Sequence, residues 1–288
     1  MGTNEITVAV RERYAAFAAA GGQPGGCCAA TTLAAGYATE LGLYPPEELA
    51  RVPAGARALS RGCGNPTGLA RLEPGDTVVD FGCGGGIDVI LAARKVAPGG
   101  QVIGVDGVPE MIVRARSHVT EAGVAEWVSF AVAELADTGL RSGCADVVLS
   151  NCVINLCPDK AAVYREAYRV LRPGGRLAIS DVVFTEELPT TLAASLRATW
   201  SGCVGGTLAK PAYFDTLRGA GFVDLVHVGE HRFTPAELGE MARCPGPGFT
   251  PAPADADLAA VRGKVASIKF TAAKPWSAEH PDPGSGGA

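Results

Sequence analysis

The chain has 288 residues, 47% hydrophobic and 19% charged, with a net charge of -5. That is enough apolar material for a sizeable core and excludes wholesale disorder, and the acidic balance argues against nucleic acid as the main partner. No apolar run reaches the roughly 18 residues of a membrane span, and the charged start (Glu5, Arg11, Glu12, Arg13) lacks a signal-peptide core, so a cytoplasmic protein with no membrane partner is expected.

Ile6, Val10, Tyr14 and Phe17 recur at helical spacing and predict a helix over 4–20. Glycines from Gly21 to Gly26 break it and lead to the vicinal pair Cys27-Cys28. An Ala-rich stretch follows, with a short helix after Pro45-Pro46. Arg61-Gly62-Cys63-Gly64-Asn65-Pro66 is a turn-forming cluster that presents a thiol on a loop.

Strand 77–81 then carries Asp80, and Gly82-Cys83-Gly84-Gly85-Gly86 turns the chain into a helix over 87–96. Strand, tight turn and helix make the first unit of a doubly wound α/β sheet. The third glycine of a dinucleotide fingerprint would fall at 87, where Ile87 stands. Asp106 ends the next strand, over 101–105, where a ribose diol would need an acceptor. These features read as a nucleoside site more than a pyrophosphate site.

Pro109 opens a helix carrying Met111, strand 127–132 follows, and a polar connection passes through Glu134, Leu135 and Asp137. The fourth strand, 145–150, delivers Asn151-Cys152-Val153-Ile154-Asn155. A helix over 159–171, stopped by Arg172-Pro173-Gly174-Gly175, leads to strand 176–183. This rhythm means a parallel sheet with right-handed crossovers. Beyond 184 the pattern changes: a helix over 187–200, the loop Gly202-Cys203-Val204-Gly205-Gly206, a helix over 210–219, a strand over 222–228, a loop over 244–257 and a strand over 264–272. The expected organisation is an N-terminal helical segment (1–60), a nucleotide-binding core (61–184), a C-terminal region completing the sheet (185–274) and a disordered tail (275–288).

Nine cysteines, an odd number, with no secretion signal argue against a disulfide framework. No C-x-x-C pair is present, which leaves a zinc-finger arrangement without support. Cys152 stands at the ligand end of the fourth strand, and Cys63 and Cys203 lie in glycine-containing loops near the same edge. Metal, metalloid or redox chemistry is the better reading of thiols so placed.

The stretch Asp80 to Gly86 resembles motif I of class I S-adenosylmethionine-dependent methyltransferases. Gly62-Cys63-Gly64-Asn65-Pro66, Ser150-Asn151-Cys152-Val153-Ile154-Asn155-Leu156, Leu171-Arg172-Pro173-Gly174-Gly175 and Gly202-Cys203-Val204-Gly205-Gly206 resemble, in order, the arsenite S-adenosylmethionine methyltransferases, the ArsM family. The resemblance implies a Rossmann-like doubly wound sheet, mainly parallel, with a small C-terminal α+β appendage. It implies S-adenosylmethionine as methyl donor, bound around Asp80, Gly82, Cys83, Gly84, Gly86, Asp106, Gly107, Met111, Glu134, Leu135 and Asn151. It implies Cys152 and Cys203 as the essential arsenic-binding pair, Cys63 as third ligand and redox partner, and Cys27 or Cys28 as the extra N-terminal cysteine. Arsenite and methylarsenite would be the substrates, glutathione or thioredoxin the external reductant, and the protein a monomer.

Trivalent arsenic is soft and keeps a lone pair when coordinated, so thiolates suit it and no general base is required. Departures from the family pattern include Cys83 in the glycine turn, Gly107-Val108 after Asp106, and Ala136 where an acidic adenine contact is common, with Asp137 as its substitute. Two rival functions are a methyltransferase for an organic small molecule and a non-catalytic metalloid or zinc sensor.

Overall fold

The computed structural model describes residues 3–22, 44–198, 205–238 and 255–276; Cys27, Cys28, Cys203, Cys244 and the tail from 277 lie outside the described residues. The apolar, β-branched runs become strands β1 (Thr77–Phe81), β2 (Gln101–Asp106), β3 (Val128–Val132), β4 (Ala145–Asn151), β5 (Leu171–Phe184), β6 (Val223–Arg232) and β7 (Val265–Ala273). They form one seven-stranded sheet in the order β3-β2-β1-β4-β5-β7-β6. β1 to β5 run parallel, whereas β7 is antiparallel to both β5 and β6. The C-terminal strands therefore extend the same sheet.

Val78, Val79, Val147, Val148 and Leu149 are fully buried because helices cover both faces of a parallel sheet. Alternation along the strands separates two cores. Val78, Val102 and Val147 pack with the helices Ile87–Val96 and Pro109–Glu121, while Val79, Val148 and Ile179 pack with Tyr164, Tyr213 and Phe270. A third cluster, at the carboxyl end of β5, contains Cys63, Cys152, Val182, Phe184 and Val265.

Local chemistry sets the helix ends. The Asp159 side chain accepts from the Ala162 amide at 2.9 Å and caps the helix Lys160–Val170, and Asn65 caps the turn Pro66–Leu69 in the same way. The expected stop at 172–175 is instead an irregularity inside β5: Ala145 pairs with Leu171 but Val147 with Arg176. Gly174 donates to the Lys274 carbonyl at 3.0 Å and Lys274 to that of Gly175 at 2.9 Å, so the segment stays in the sheet. The expected loop over 244–257 gives way to the helix Asp255–Ala260 at its end. Among the described residues no helix is long and apolar enough to cross a membrane.

β7 lies between β5 and β6, and Phe270 at its centre meets Tyr213 and Phe214 edge-to-face, with centroids 5.8 and 5.3 Å apart. Truncating a buried aromatic ring at such a junction removes apolar burial and leaves a cavity. Phe270→Ala is expected to lower stability by about 3–5 kcal/mol, measured by urea unfolding. A loss below about 1 kcal/mol, no more than a typical point mutation, would show that β7 is not part of the cooperative core.

Candidate active site

A cavity of about 580 Å³ lies over the carboxyl ends of β1, β2 and β4. β2 and β4 flank β1 on opposite sides, so this is the switch point at which open α/β sheets bind ligands. Gly82 has φ +75°, and a Cβ there would stand 2.5 Å from Val153 Cγ2. Only glycine permits both the turn and the close approach of the 151–156 segment. The amides of Gly82 and Cys83 both donate to the Val105 carbonyl, at 2.8 and 3.0 Å, and tie the turn to β2.

Asp106 accepts from the amides of Gly84 and Val108, each at 2.9 Å. Burial raises its pKa, and those two bonds oppose the shift. Each carboxylate oxygen keeps a lone pair for a diol. Gly82, Cys83, Gly84, Asp106, Gly107, Met111, Glu134, Leu135 and Asn151 all contribute to the wall, whereas Asp80 and Gly86 do not. Asp80 is buried and, with Asp88 and Asp106 nearby, is held well above the usual carboxylate range, chiefly by desolvation. Gly86 takes a left-handed conformation and starts the helix Ile87–Val96.

Residues the sequence reading did not single out complete the wall. Ser60 Oγ is buried on it with no hydrogen-bond partner among the described residues. Such an orphan costs about 1–3 kcal/mol until something occupies it. The diol acceptor, the glycine cradle, the orphan hydroxyl and the surrounding carboxylates fit a nucleoside with a cationic amino-acid tail, as S-adenosylmethionine is.

The helix Thr3–Ala19 closes the cavity from outside, through Thr7, Val10, Arg11 and Tyr14. Arg11 pairs with Glu134. The Arg61 guanidinium stacks 4.0 Å from the centroid of Phe17, and Arg114 donates to the carbonyls of Ala18 and Ala19 at 3.1 and 3.2 Å. Glu134 is thus committed to an ion pair, Leu135 supplies a buried apolar surface, and Asp137 is exposed and off the wall. Amphipathic spacing predicts the helix but not what its buried side meets.

Cys63 and Cys152 are both buried, in one apolar cluster, and Cys152 also lines the cavity. Cys152 has φ +60°, a conformation that costs a non-glycine residue of order 1–3 kcal/mol. It is held there by its amide bond to the Ser180 carbonyl, at 2.8 Å, and by an asparagine anchor on each side. Asn155 donates to Asp181 Oδ1 at 2.9 Å, and Tyr213 donates to Asp181 Oδ2 at 2.8 Å. Asn151 donates to the Gly64 carbonyl at 2.8 Å and accepts from the Cys63 amide at 3.0 Å. Its side chain therefore serves the Cys63 loop. Cys203 lies outside the described residues; Leu196, before it, belongs to the cluster, and Ala209, after it, bridges to Phe184. Cys157 also lines the cavity, its thiol pushed up to about 12 by burial.

A family profile described as a methyltransferase domain matches residues 72–226. The chain is 43% identical to an arsenite methyltransferase of Halobacterium salinarum over 74% of its own length and 56% of that relative. It is 34% identical to the human arsenite methyltransferase over 43% of its length and 35% of that relative. The match thus spans about half, or less, of these curated relatives. The crystal structure of an arsenic(III) S-adenosylmethionine methyltransferase from Chlamydomonas reinhardtii superposes with a TM-score of 0.66 at 30% identity, covering 82% of this chain and 75% of that one. The fold is that of the class I S-adenosylmethionine-dependent methyltransferases.

The anchors have a measurable cost. Burial pushes Asp181 up to about 6, against the hydrogen bond from Tyr213 and the charge of Lys160. An acid whose folded pKa exceeds its unfolded value of roughly 3.9 holds its proton longer when folded. Its contribution to stability is full below about pH 4, falls as pH rises to about 6 and is flat above. Asp181→Asn is expected to remove a fall of about 2–3 kcal/mol between those limits, measured by urea unfolding across pH. An unchanged slope in the variant would mean that Asp181 is not its source.

Proposed function

The chain belongs to the methyltransferase-domain family and, within it, to the arsenite methyltransferases, and from that premise we propose that it methylates trivalent arsenic held on its own thiolates. Arsenite and methylarsenite are the substrates of this reading. The observation that carries it is Cys63 and Cys152 in one buried apolar cluster, with Cys152 shared by the cofactor wall.

S-adenosylmethionine, when bound, supplies an electrophilic methyl group on a cationic sulfur. Asp106 would accept its ribose hydroxyls, the turn at Gly82 and Gly84 would admit the amino-acid tail, and Ser60 Oγ would bond to that tail. Cys152 and Cys203 would hold the arsenic, with Cys63 as third ligand for arsenite. The support for the pairing is that Leu196, before Cys203, belongs to the cluster and Ala209, after it, bridges to Phe184 of the cluster. Arsenic on three ligands would retain a lone pair for the methyl carbon, the carbon–sulfur bond breaking to leave neutral S-adenosylhomocysteine, so no side chain need remove a proton. The residues' task is alignment and exclusion of water.

Transfer leaves the arsenic oxidised by two electrons. Two thiolates return them as they join in a disulfide, which restores trivalent arsenic. An external thiol, glutathione or thioredoxin, then reduces that disulfide. A reducing cytoplasm accords with that requirement.

Asp106→Ala should weaken S-adenosylmethionine binding by roughly 1.5–3 kcal/mol, the worth of a hydrogen bond to a charged group. Calorimetry showing unchanged affinity would remove Asp106 from the site. The thiols are tested by single-turnover methylation with arsenic species separated by chromatography. Cys152→Ser should abolish methylation of both substrates. Cys63→Ser should abolish it for arsenite and leave substantial activity on methylarsenite, whose carbon already fills one position. Full activity of Cys152→Ser on methylarsenite would sink the reading.

A further inference from the structure

Cys63 reaches the thiol cluster on a loop that belongs to no strand, so something must seat it. The Asn151 carboxamide does so directly. Its oxygen takes the Cys63 amide at 3.0 Å and its nitrogen donates to the Gly64 carbonyl at 2.8 Å. A Cβ on Gly62 would stand 2.4 Å from Asn151 Nδ2, so the loop lies flat on the amide. Ser267 Oγ holds the far side, donating to the Cys63 carbonyl at 2.6 Å.

An amide can present either face; the Cys63 amide and the Gly64 carbonyl select one, and a buried acid reinforces that choice and fixes the amide in place. Asn151 Nδ2 stands 3.0 Å from Asp88 Oδ2 and 2.9 Å from Tyr44 Oη, while the Tyr44 hydroxyl is 3.1 Å from both Asp88 oxygens. Flipping the amide would set its oxygen against the carboxylate and its nitrogen against the Cys63 amide. Asp88 is buried and sits in the first turn of the helix that follows the glycine turn, on the cofactor wall.

We infer that Asp88, acting through Asn151 and braced by Tyr44, is a positioning residue that seats the Cys63 loop and ties the thiol pocket to the cofactor wall. The inference rests on the reading of Cys63 as an arsenic ligand. Its chemical content is one amide orientation: with Asp88 in place, Asn151 offers an acceptor to Cys63 and a donor to Gly64. Without it, the amide loses the acceptor that braces it against the helix Ile87–Val96, and the loop it seats is loosened.

The test needs no arsenic. Full-length protein is alkylated with iodoacetamide, and the labelling rate of Cys63 is read by mass spectrometry against that of Cys144, which lies away from the site. Asp88→Ala and Tyr44→Phe should raise the Cys63 rate severalfold to tenfold with the Cys144 rate unchanged. Asp88→Asn, which retains an oxygen for Asn151 Nδ2, should return it close to wild type. Should Asp88→Ala fail to fold, the isosteric Tyr44→Phe decides. An unchanged Cys63 rate, a parallel rise at Cys144, or no recovery in Asp88→Asn would overturn the inference. In methylation assays Asp88→Ala should lose arsenite turnover more than methylarsenite turnover. If wild type methylates neither while the labelling pattern holds, the proposed function fails and the positioning role stands.

Discussion

The site depends first on the pairing of β1 with β4. Their register sets Phe81 opposite Ser150, so the glycine turn and the Asn151-Cys152 segment leave the sheet side by side. A slip of one residue would turn every side chain of one strand to the other face and drive Val79 and Val148 out of their core. Both strands are buried on two faces, so that error is expensive, and the juxtaposition of cofactor turn and thiol follows from packing alone. The contact of Val153 with Gly82 is its outcome, and it explains why the turn has no room for a side chain at that point.

Around this junction the chain tolerates unfavourable states that a purely structural site would avoid. Cys152 holds a positive φ; Asp80, Asp88 and Asp181 are buried and Asp106 is half-buried, and desolvation raises the pKa of all four. Asp88 and Asp181 are relieved by hydrogen bonds, and each ends on an asparagine of the segment 151–155. The strain at Cys152 persists because both neighbours of the thiol are fixed from opposite directions. Polar networks of this kind specify geometry more than they stabilise it. In the proposed reaction the thiolate holds the arsenic in line with the methyl group, and that task needs this geometry.

What could be read from the chain alone divides along the same physical boundary. β1, the glycine turn, the helix Ile87–Val96 and the helix Lys210–Gly219 are visible because hydrophobic period and turn residues act over a few positions. The thiols stand out because cysteines in glycine-containing loops are chemically conspicuous. The Tyr44–Asn151 contact joins residues 107 apart and leaves no local pattern. Asp88 reads as a polar residue in the first turn of a helix, where the macrodipole favours it, and nothing in the spacing says that it faces an amide. The PGG segment reads as a turn because its composition is that of one, yet pairing with Lys274 keeps it in β5.

One wall of the cavity is not made by the sheet. The helix Thr3–Ala19 is attached by the cluster of Tyr14, Phe17 and Ala18 with Leu59, Val108 and Met111, by the stacking of Arg61 on Phe17, by the bonds from Arg114 to the carbonyls of Ala18 and Ala19, and by the pair Arg11–Glu134. Both members of that pair are about half exposed, at 48% each, so it contributes little and is screened by salt. The apolar contacts supply most of the attachment, and they are few beside those of the central strands. The cavity thus rests on two kinds of attachment: sheet pairing of β1 with β4 fixes the glycine turn and the Asn151-Cys152 segment, and side-chain contacts fix the N-terminal helix over them.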